Sequence, residues 1–215
     1  IIVLGVAQDG GYPQPGCEKT CCEKAPINEK RIFRTSLALT DPAAGKWWLF
    51  EATPDIGDQL KLFAKVTNHR FNFLPDGIFI THAHIGHYTG LMQLGREVMN
   101  TKAIPVHVLP RLAEYLQTNG PWKQLVDLNN IRINSLKADE PFSLTDEIKV
   151  TALPVPHRDE FSETAGFRIT SREKRWLFIP DIDKWSKWGR DIVDEVRQVD
   201  EAYLDATFSD ANELP

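Results

Sequence analysis

The sequence predicts an α/β protein in which two β-sheets pack face to face with helices outside, a four-layer αββα sandwich. Strand patterns occur in both halves of the chain, and helical patterns separate them. The sequence contains no internal repeat, low-complexity tract or Gly/Ser linker. Its 215 residues, with 42% hydrophobic and 26% charged side chains, can bury one large core. We therefore predict a single domain over residues 1–215.

The first half of the chain opens with strands and continues with alternating helices and strands. Short apolar runs that end in Gly, Pro or Asp predict strands, and apolar residues three and four apart predict helices. The first predicted helix has an apolar face formed by Ile56, Leu60, Phe63 and Ala64. The predicted elements are a strand at Ile1–Ala7, a hairpin of Phe33–Thr40 and Trp47–Glu51, a helix from Asp55, a strand at Gly77–Thr81 and a helix at Tyr88–Met99.

The second half of the chain is richer in strands. Six strands are predicted, at Val106–Leu109, Ile131–Ile133, Ile148–Val155, Gly166–Thr170, Trp176–Ile179 and Ala202–Asp205. Helices are predicted at Arg111–Gln117, Trp122–Leu128 and Trp185–Val199. Trp185 and Trp188 are expected in the core or at its rim, because large aromatic side chains on an amphipathic helix usually pack there.

Charge and hydropathy disfavour two classes of partner. Twenty-five Lys and Arg against thirty Asp and Glu give a net charge of −5, which disfavours nucleic acid. The sequence has no apolar run of about eighteen residues, so no membrane span is predicted. The expected partner is a small-molecule substrate. We expect a bacterial-type soluble protein, cytoplasmic or exported after signal-peptide removal, whose natural chain extends beyond Ile1 and Pro215. The sequence indicates no oligomeric state.

Three of the six histidines fall within the segment Thr81–His87, between a predicted strand and a predicted helix. Residues two apart on an extended backbone point to the same side, so His82 and His84 can converge on one ion. His87, at the helix start, can turn inward beside them. Zn²⁺ and Fe favour imidazole ligands, and a strand end suits an open catalytic site. The alternative is a histidine-rich loop that faces solvent.

Two further metal-ligand candidates follow later strands. His157 comes directly after Pro154-Val155-Pro156, and Asp181 comes directly after Phe178-Ile179-Pro180. A metal held by imidazoles and one carboxylate lowers the pKa of bound water toward about 7, which supplies hydroxide at neutral pH. The combination therefore predicts metal-assisted hydrolysis.

The segment Thr81–His87 resembles the T-H-x-H-x-D-H signature of the metallo-β-lactamase-fold superfamily, and His157 and Asp181 follow in the order of that family. The N-terminal half of the chain is most similar to the branch that contains pyrroloquinoline-quinone biosynthesis protein B, while Asp205–Phe208 resembles a motif of tRNase Z and related phosphodiesterases. The segments that carry the likeness to the quinone branch are Val3–Gly5, Gly10–Gln14, Arg34–Ser36 and Glu51–Ile56. The resemblance implies an αββα sandwich with a metal site at its edge.

This resemblance implies a first metal site of His82, His84 and His157, with Asp181 bridging toward a second site that includes His87. Gly86 stands where the family has an aspartate, and no histidine follows Asp205 before the sequence ends. We therefore expect one well-populated metal, Zn²⁺ with Fe²⁺ as the alternative, and a weak or altered second position.

In the chemistry that this site implies, a metal-bound hydroxide is the nucleophile and Asp181 orients the water. Asp205 is a second catalytic candidate, with a supporting role in proton transfer. An aspartate at a strand end is also a common turn residue, which is the alternative for Asp205.

Cys17, Cys21 and Cys22 lie in one loop where some relatives in the branch hold a structural zinc. Their spacing also allows one local disulfide or three free thiols. Asp55 is expected to cap the helix that it begins and to brace the histidine turn. His69 and His107 have no sequence partners and are expected to be structural.

Three functions remain open on the sequence. The leading one is a metal-dependent hydrolase that acts on a small ester, lactone, β-lactam or phosphodiester. An Fe-dependent hydroxylase or oxidase is the second, because His and carboxylate ligands also suit Fe(II) and O₂. The third is a non-catalytic metal-binding scaffold, which the loss of the aspartate at Gly86 would favour.

Overall fold

The structure, a computed structural model, describes residues 1–25 and 32–207, which form two compact units. The first unit comprises Ile1–Val108 and Leu112–Ser135, and the second comprises Leu109–Arg111 and the described chain from Leu136 on. Each unit contains one β-sheet with its own helices. Phe208, the last residue of the predicted Asp205–Phe208 motif, lies outside the described residues.

The sheet of the first unit has six strands in chain order. They are β1 (Ile2–Gly5), β2 (Ser36–Asp41), β3 (Lys46–Phe50), β4 (Gly77–Phe79), β5 (Ile104–Val108) and β6 (Ile131–Ser135). β2 and β3 form the predicted hairpin, with Leu37 opposite Phe50 and Asp41 opposite Lys46. From β3 to β6 every neighbouring pair is parallel, so these strands end at the same edge of the sheet.

In the described part of the chain the first unit has five helices, and all but the first contribute side chains to its core. They are α1 (Thr20–Glu23), α2 (Ile56–Val66), α3 (Ile85–Tyr88), α4 (Pro110–Thr118, whose first two residues belong to the second unit) and α5 (Trp122–Asp127). The predicted apolar face of α2 is confirmed, because Ile56, Leu60 and Phe63 are fully buried and Phe63 stacks on Trp47 with ring centroids 3.8 Å apart. Burial of each such side chain contributes about 1.5–3 kcal/mol. The patterns did not predict α1.

The helix predicted at Tyr88–Met99 is wrong in both position and type. The short helix α3 begins earlier, at Ile85, and a 3₁₀ segment follows at Thr89–Leu94. Gly90 N–H donates to the Ala52 carbonyl at 2.8 Å, and a side chain at this position would meet the Thr53 carbonyl at 2.0 Å. This close approach of two backbones, which the sequence pattern does not reveal, determines the path of the segment.

The sheet of the second unit has five strands in the order β11-β10-β9-β8-β7. The strands are β7 (Pro141–Ser143), β8 (Lys149–Val155), β9 (Thr164–Thr170), β10 (Arg175–Ile179) and β11 (Glu201–Leu204). β7 was not predicted. Because β8 and β10 are both antiparallel to β9, and β11 is parallel to β10, the strands β8, β10 and β11 end at one edge.

The single helix predicted over Trp185–Val199 is also wrong. A 3₁₀ turn at Trp185–Lys187 precedes a separate helix, α6 (Ile192–Arg197). Asp191 starts α6 by accepting hydrogen bonds from the N–H groups of Val193 and Asp194. Trp188 lies in the core, as expected, with its indole N–H donating to the Pro154 carbonyl at 2.8 Å. None of the helices in the described part of the chain is long and apolar enough to cross a membrane.

His107 on β5 is structural, as predicted. It is only 3% exposed and stacks on Phe79 with ring centroids 4.5 Å apart. Burial, together with the nearby Arg132 guanidinium, lowers the pKa of His107 from 6.5 to about 4. The folded chain therefore keeps this imidazole neutral at pH values where the unfolded chain protonates it.

We expect this difference to reduce stability in acid. Between pH 6.5 and about 4 the unfolded state binds more protons at His107, so stability falls as the pH drops through this window. Over the whole window the free energy of unfolding falls by about 3 kcal/mol. Urea unfolding at several pH values checks it: His107→Phe and His107→Gln should both lose this part of the pH slope, although their stabilities at pH 7 differ. A slope as steep as that of the wild type in both variants would contradict it.

Candidate metal centre

The histidine turn of the first unit lies at the edge where the parallel strands β3 and β4 end. Phe50 and Phe79 are register partners on these strands. Glu51 therefore leaves β3 beside the segment that leads from β4 into Thr81 and His82. The C-terminal edge of parallel strands is the usual place for a functional site in α/β folds.

The imidazoles of the turn are close together and mostly buried. His82 and His87 are each 1% exposed, so a solvent-facing histidine loop is excluded for these two residues. His82 Nε2 lies 2.8 Å from His84 Nδ1, and a second hydrogen bond of 2.8 Å joins His82 Nδ1 to Thr81 Oγ1. The ring centroids of His82 and His87 are 4.3 Å apart. The structure thus brings together the three histidines that the spacing singled out.

Glu51 holds this turn from the interior. Its carboxylate is fully buried, accepting a hydrogen bond from Thr81 N–H at Oε1 (3.2 Å) and contacting His87 Nδ1 at Oε2 (3.1 Å). Burial raises the pKa of Glu51, and His87 and Thr81 oppose that rise. Because Nδ1 of His87 faces this carboxylate, a metal would bind His87 through Nε2.

Glu51 also has an unusual backbone conformation, with φ of 73°. A non-glycine residue in this region costs about 1–3 kcal/mol and often marks a functional site. The sequence patterns did not indicate Glu51 as a site residue. The available signal was an acidic residue directly after the apolar run Trp47–Phe50, at the end of a buried strand.

Asp55, which was expected to cap α2 and brace the histidine turn, does not cap the helix. It occupies the N-cap position, but its side chain makes no capping hydrogen bond to the helix. Its Oδ2 instead accepts hydrogen bonds from Arg34 N–H (3.0 Å) and Arg34 Nη1 (3.1 Å). The capping prediction is therefore wrong, and Glu51 contacts the turn directly.

Gly86 lies against the N-terminal loop of the same unit. A side chain built on Gly86 would place its Cβ 2.0 Å from Asp9 Cβ and 2.5 Å from Asp9 Cα. Real Cβ contacts are essentially never shorter than 3.0 Å. Only glycine therefore fits at position 86 while the N-terminal loop keeps this path.

The second unit carries the other candidates at the common edge of β8, β10 and β11. His157 follows β8 and Asp181 follows β10, and His157 Nε2 lies 3.2 Å from Asp181 Oδ2. Asp205 follows β11, where Oδ2 accepts from Ile182 N–H (3.2 Å) and Oδ1 from Thr207 N–H (2.9 Å). The Asp205 carboxylate thus braces the loop that carries Asp181.

The two pairs of donor atoms have separations close to those of zinc ligands. Two ligand atoms on a tetrahedral Zn²⁺, each about 2.0–2.1 Å from the ion, lie about 3.3 Å apart. His157 Nε2 and Asp181 Oδ2 have nearly this separation, at 3.2 Å. The distance between His82 Nε2 and His84 Nδ1 is 2.8 Å and would have to lengthen by about 0.5 Å. The donor types and spacings within each unit fit zinc.

The cysteines form a separate cluster. Cys17, Cys21 and Cys22 are free thiols with sulfur atoms within 4.8 Å of one another. A hydrogen bond from the Lys19 backbone lowers the pKa of the Cys17 thiol. The arrangement is compatible with the predicted structural metal, which stays a prediction. His69, also expected to be structural, is exposed at the end of α2, where its N–H donates to the Ala64 carbonyl.

Comparison with known proteins identifies the class. Residues 46–214 match the β-lactamase superfamily domain. The match covers well over half of the chain, so the chain belongs to this superfamily and has the metallo-β-lactamase fold. The predicted fold class is thereby confirmed.

Within the class, the chain is similar to coenzyme PQQ synthesis protein B of Methylobacterium nodulans, with 25% identity over 96% of this chain and 72% of that protein. The crystal structure of zinc-bound PqqB from Methylobacterium extorquens has a TM-score of 0.76 and 20% identity, over 95% of this chain and 71% of the other. The crystal structure of a diphosphatase of the PhnP family has a TM-score of 0.59 and 22% identity, and the match covers 86% of this chain and 66% of the other. The predicted likeness to the PqqB branch is confirmed.

We expect Gly86→Ala to destabilise the first unit by about 2–3 kcal/mol. The added methyl group meets backbone atoms of Asp9, which cannot move as a flexible side chain can, and this overpacking outweighs the helix propensity gained. Gly189→Ala is the matched control, because a methyl group there has nothing within 4 Å. Thermal unfolding of both variants checks the prediction, and equal stability would refute it.

Proposed function

We propose that this chain is a zinc-dependent hydrolase whose principal metal ligands are His82, His84, His157 and Asp181. One observation carries the proposal: a chain of the β-lactamase superfamily has a histidine turn in which His82 and His87 are buried and oriented by Thr81 and Glu51. Orientation by a carboxylate and a hydroxyl is typical of metal-binding histidines. The zinc in the PqqB structure supports the choice of metal.

Bound zinc would supply Lewis acidity and lower the pKa of a water molecule toward about 7. The protein side chains then have distinct roles. Asp181 would help to hold the metal, and its carboxylate would orient a water molecule by accepting a hydrogen bond from it. Glu51 fixes the ring of His87 through Nδ1. Asp205 acts as a positioning residue, because its oxygens accept hydrogen bonds from the loop after β10 and from Thr207.

The proposed substrates are small esters, lactones, β-lactams and phosphodiesters. The net charge of −5 disfavours a polyanionic substrate such as nucleic acid. The phosphate chemistry named for the PhnP-family diphosphatase makes a phosphodiester a useful first probe. Specificity in such folds depends on loops around the metal, so a panel of substrates is needed.

A second candidate function is an oxidation that depends on Fe²⁺. It is favoured by the similarity to coenzyme PQQ synthesis protein B over 96% of the chain, and imidazole and carboxylate ligands suit Fe(II) as well as Zn²⁺. The two functions differ in the metal that co-purifies with the protein and in the metal that restores turnover to the apo-protein.

We expect His84→Ala to abolish metal retention and turnover while the chain stays folded. The substitution removes one ligand nitrogen from a half-buried position at the start of α3. Metal analysis of the purified protein and hydrolysis of a phosphodiester, a lactone and a β-lactam, with zinc-loaded and iron-loaded samples, check it. His69→Ala is the control, because His69 is exposed and far along the chain from the turn.

The results of that experiment separate the three functions. Zinc-dependent hydrolysis that is lost in His84→Ala supports the proposal. Turnover by a metal-free His84→Ala protein would refute it. Oxidation only with Fe²⁺ would favour the second candidate, and metal binding without turnover of any substrate would favour a scaffold.

We expect Glu51→Gln to weaken zinc binding at the second position, which includes His87, about 10–100-fold, because the neutral amide no longer polarises His87 through Nδ1. Competition with a chromophoric chelator measures the affinity. Glu114→Gln, an exposed glutamate on α4, is the matched control and should bind zinc as the wild type does. Equal affinities in the two variants would show that Glu51 has no effect on the metal.

A further inference from the structure

An acidic residue of the N-terminal loop lies against Gly86 of the histidine turn. Asp9 Cβ is 2.0 Å from the point where a Cβ of residue 86 would be, and Gly86 lies between His84 and His87. The carboxyl group of Asp9 therefore branches from almost the same point in space as a side chain at position 86 would.

Arg34 holds Asp9 in this position. Its Nε donates to the Asp9 carbonyl at 2.7 Å, and its Nη2 donates to the Gly10 carbonyl at 3.0 Å. The same guanidinium is bound through Nη1 to Asp55, whose side chain is 2% exposed. Gly10 N–H also donates to Gln8 Oε1 at 2.6 Å. The loop is thus tied to the interior by charge-assisted bonds, which are stronger than bonds between neutral groups.

The position suits a metal ligand. A carboxylate adjacent to imidazoles supplies a hard oxygen donor and a negative charge, and both strengthen the binding of a divalent cation. Asp9 is half-buried.

We propose that Asp9 and His87 together bind a second, weaker metal ion, with Asp9 supplying the carboxylate that position 86 lacks. This proposal rests on the proposed zinc centre and deepens it. In this proposal glycine is required at position 86, because the absence of a side chain there allows Asp9 to approach. The weak second metal site expected from the sequence would then have two ligands from the first unit, the carboxylate of Asp9 and the imidazole of His87.

Zinc titration of the full-length apo-protein tests the proposal, with metal content and Co²⁺ absorption spectra as readouts in addition to activity. We expect a tight step and a weaker step in the wild type. Asp9→Asn keeps the shape of the side chain and should weaken the second step at least 10-fold, with the tight step unchanged. Asp58→Asn, the same exchange at an aspartate on α2, is the matched control and should leave both steps unchanged.

The outcomes distinguish this proposal from the proposed function. A tight step followed by a second step that is missing, or that does not respond to Asp9→Asn, would overturn the role of Asp9 and leave the hydrolase intact. Absence of any tight step in the wild type would overturn both. Far-ultraviolet circular dichroism of Asp9→Asn establishes that a weaker second step does not come from unfolding, and Asp9→Glu, which keeps the carboxylate, should retain part of that step.

Discussion

The carboxylate of Glu51 lies fully buried at the end of β3, between Thr81 N–H and His87 Nδ1. Burial of a charge costs several kcal/mol, and the backbone at φ 73° adds about 1–3 kcal/mol. Such costs persist only where the surroundings compensate them, and here the compensation comes from the two hydrogen-bonded groups of the turn. The histidine turn therefore depends on Glu51 for its path, and Glu51 depends on the turn for its burial.

A second ion pair extends this dependence outward. Arg34 and Asp55 join the N-terminal loop to the start of α2, and Gln59 Nε2 donates to the Arg34 carbonyl from the next turn of that helix. Buried ion pairs contribute less to stability than their Coulomb energy suggests, since desolvation offsets most of it. What they do supply is a unique arrangement, because any other position of the loop would leave a buried charge without its partner. The position of Asp9 is fixed by this requirement.

Local patterns in the sequence predicted most strands, the hairpin of β2 and β3, and the buried face of α2, because these features repeat with a period of two or about 3.6 residues. They failed for the helices after Tyr88 and Trp185, where contacts between distant segments determine the backbone. The spacing of His82, His84 and His87 indicated a cluster, and the structure has one. Glu51 and Asp9 could not be found in this way, because their roles come from which strand end and which loop reach the turn.

The pair of Asp9 and Gly86 shows how a gap in a sequence motif can be misleading. An aspartate at position 86 and the present loop path exclude each other, since a Cβ there would lie 2.5 Å from Asp9 Cα. Replacing the loop aspartate alone would not remove this clash, because the backbone atoms of residue 9 remain. The loop, Arg34 and Gly86 must therefore change together or not at all. A site that lacks a carboxylate at one position of its sequence motif can receive a carboxylate from a distant segment of the chain. Only the distance between the two backbones distinguishes such a rearranged site from a degraded one.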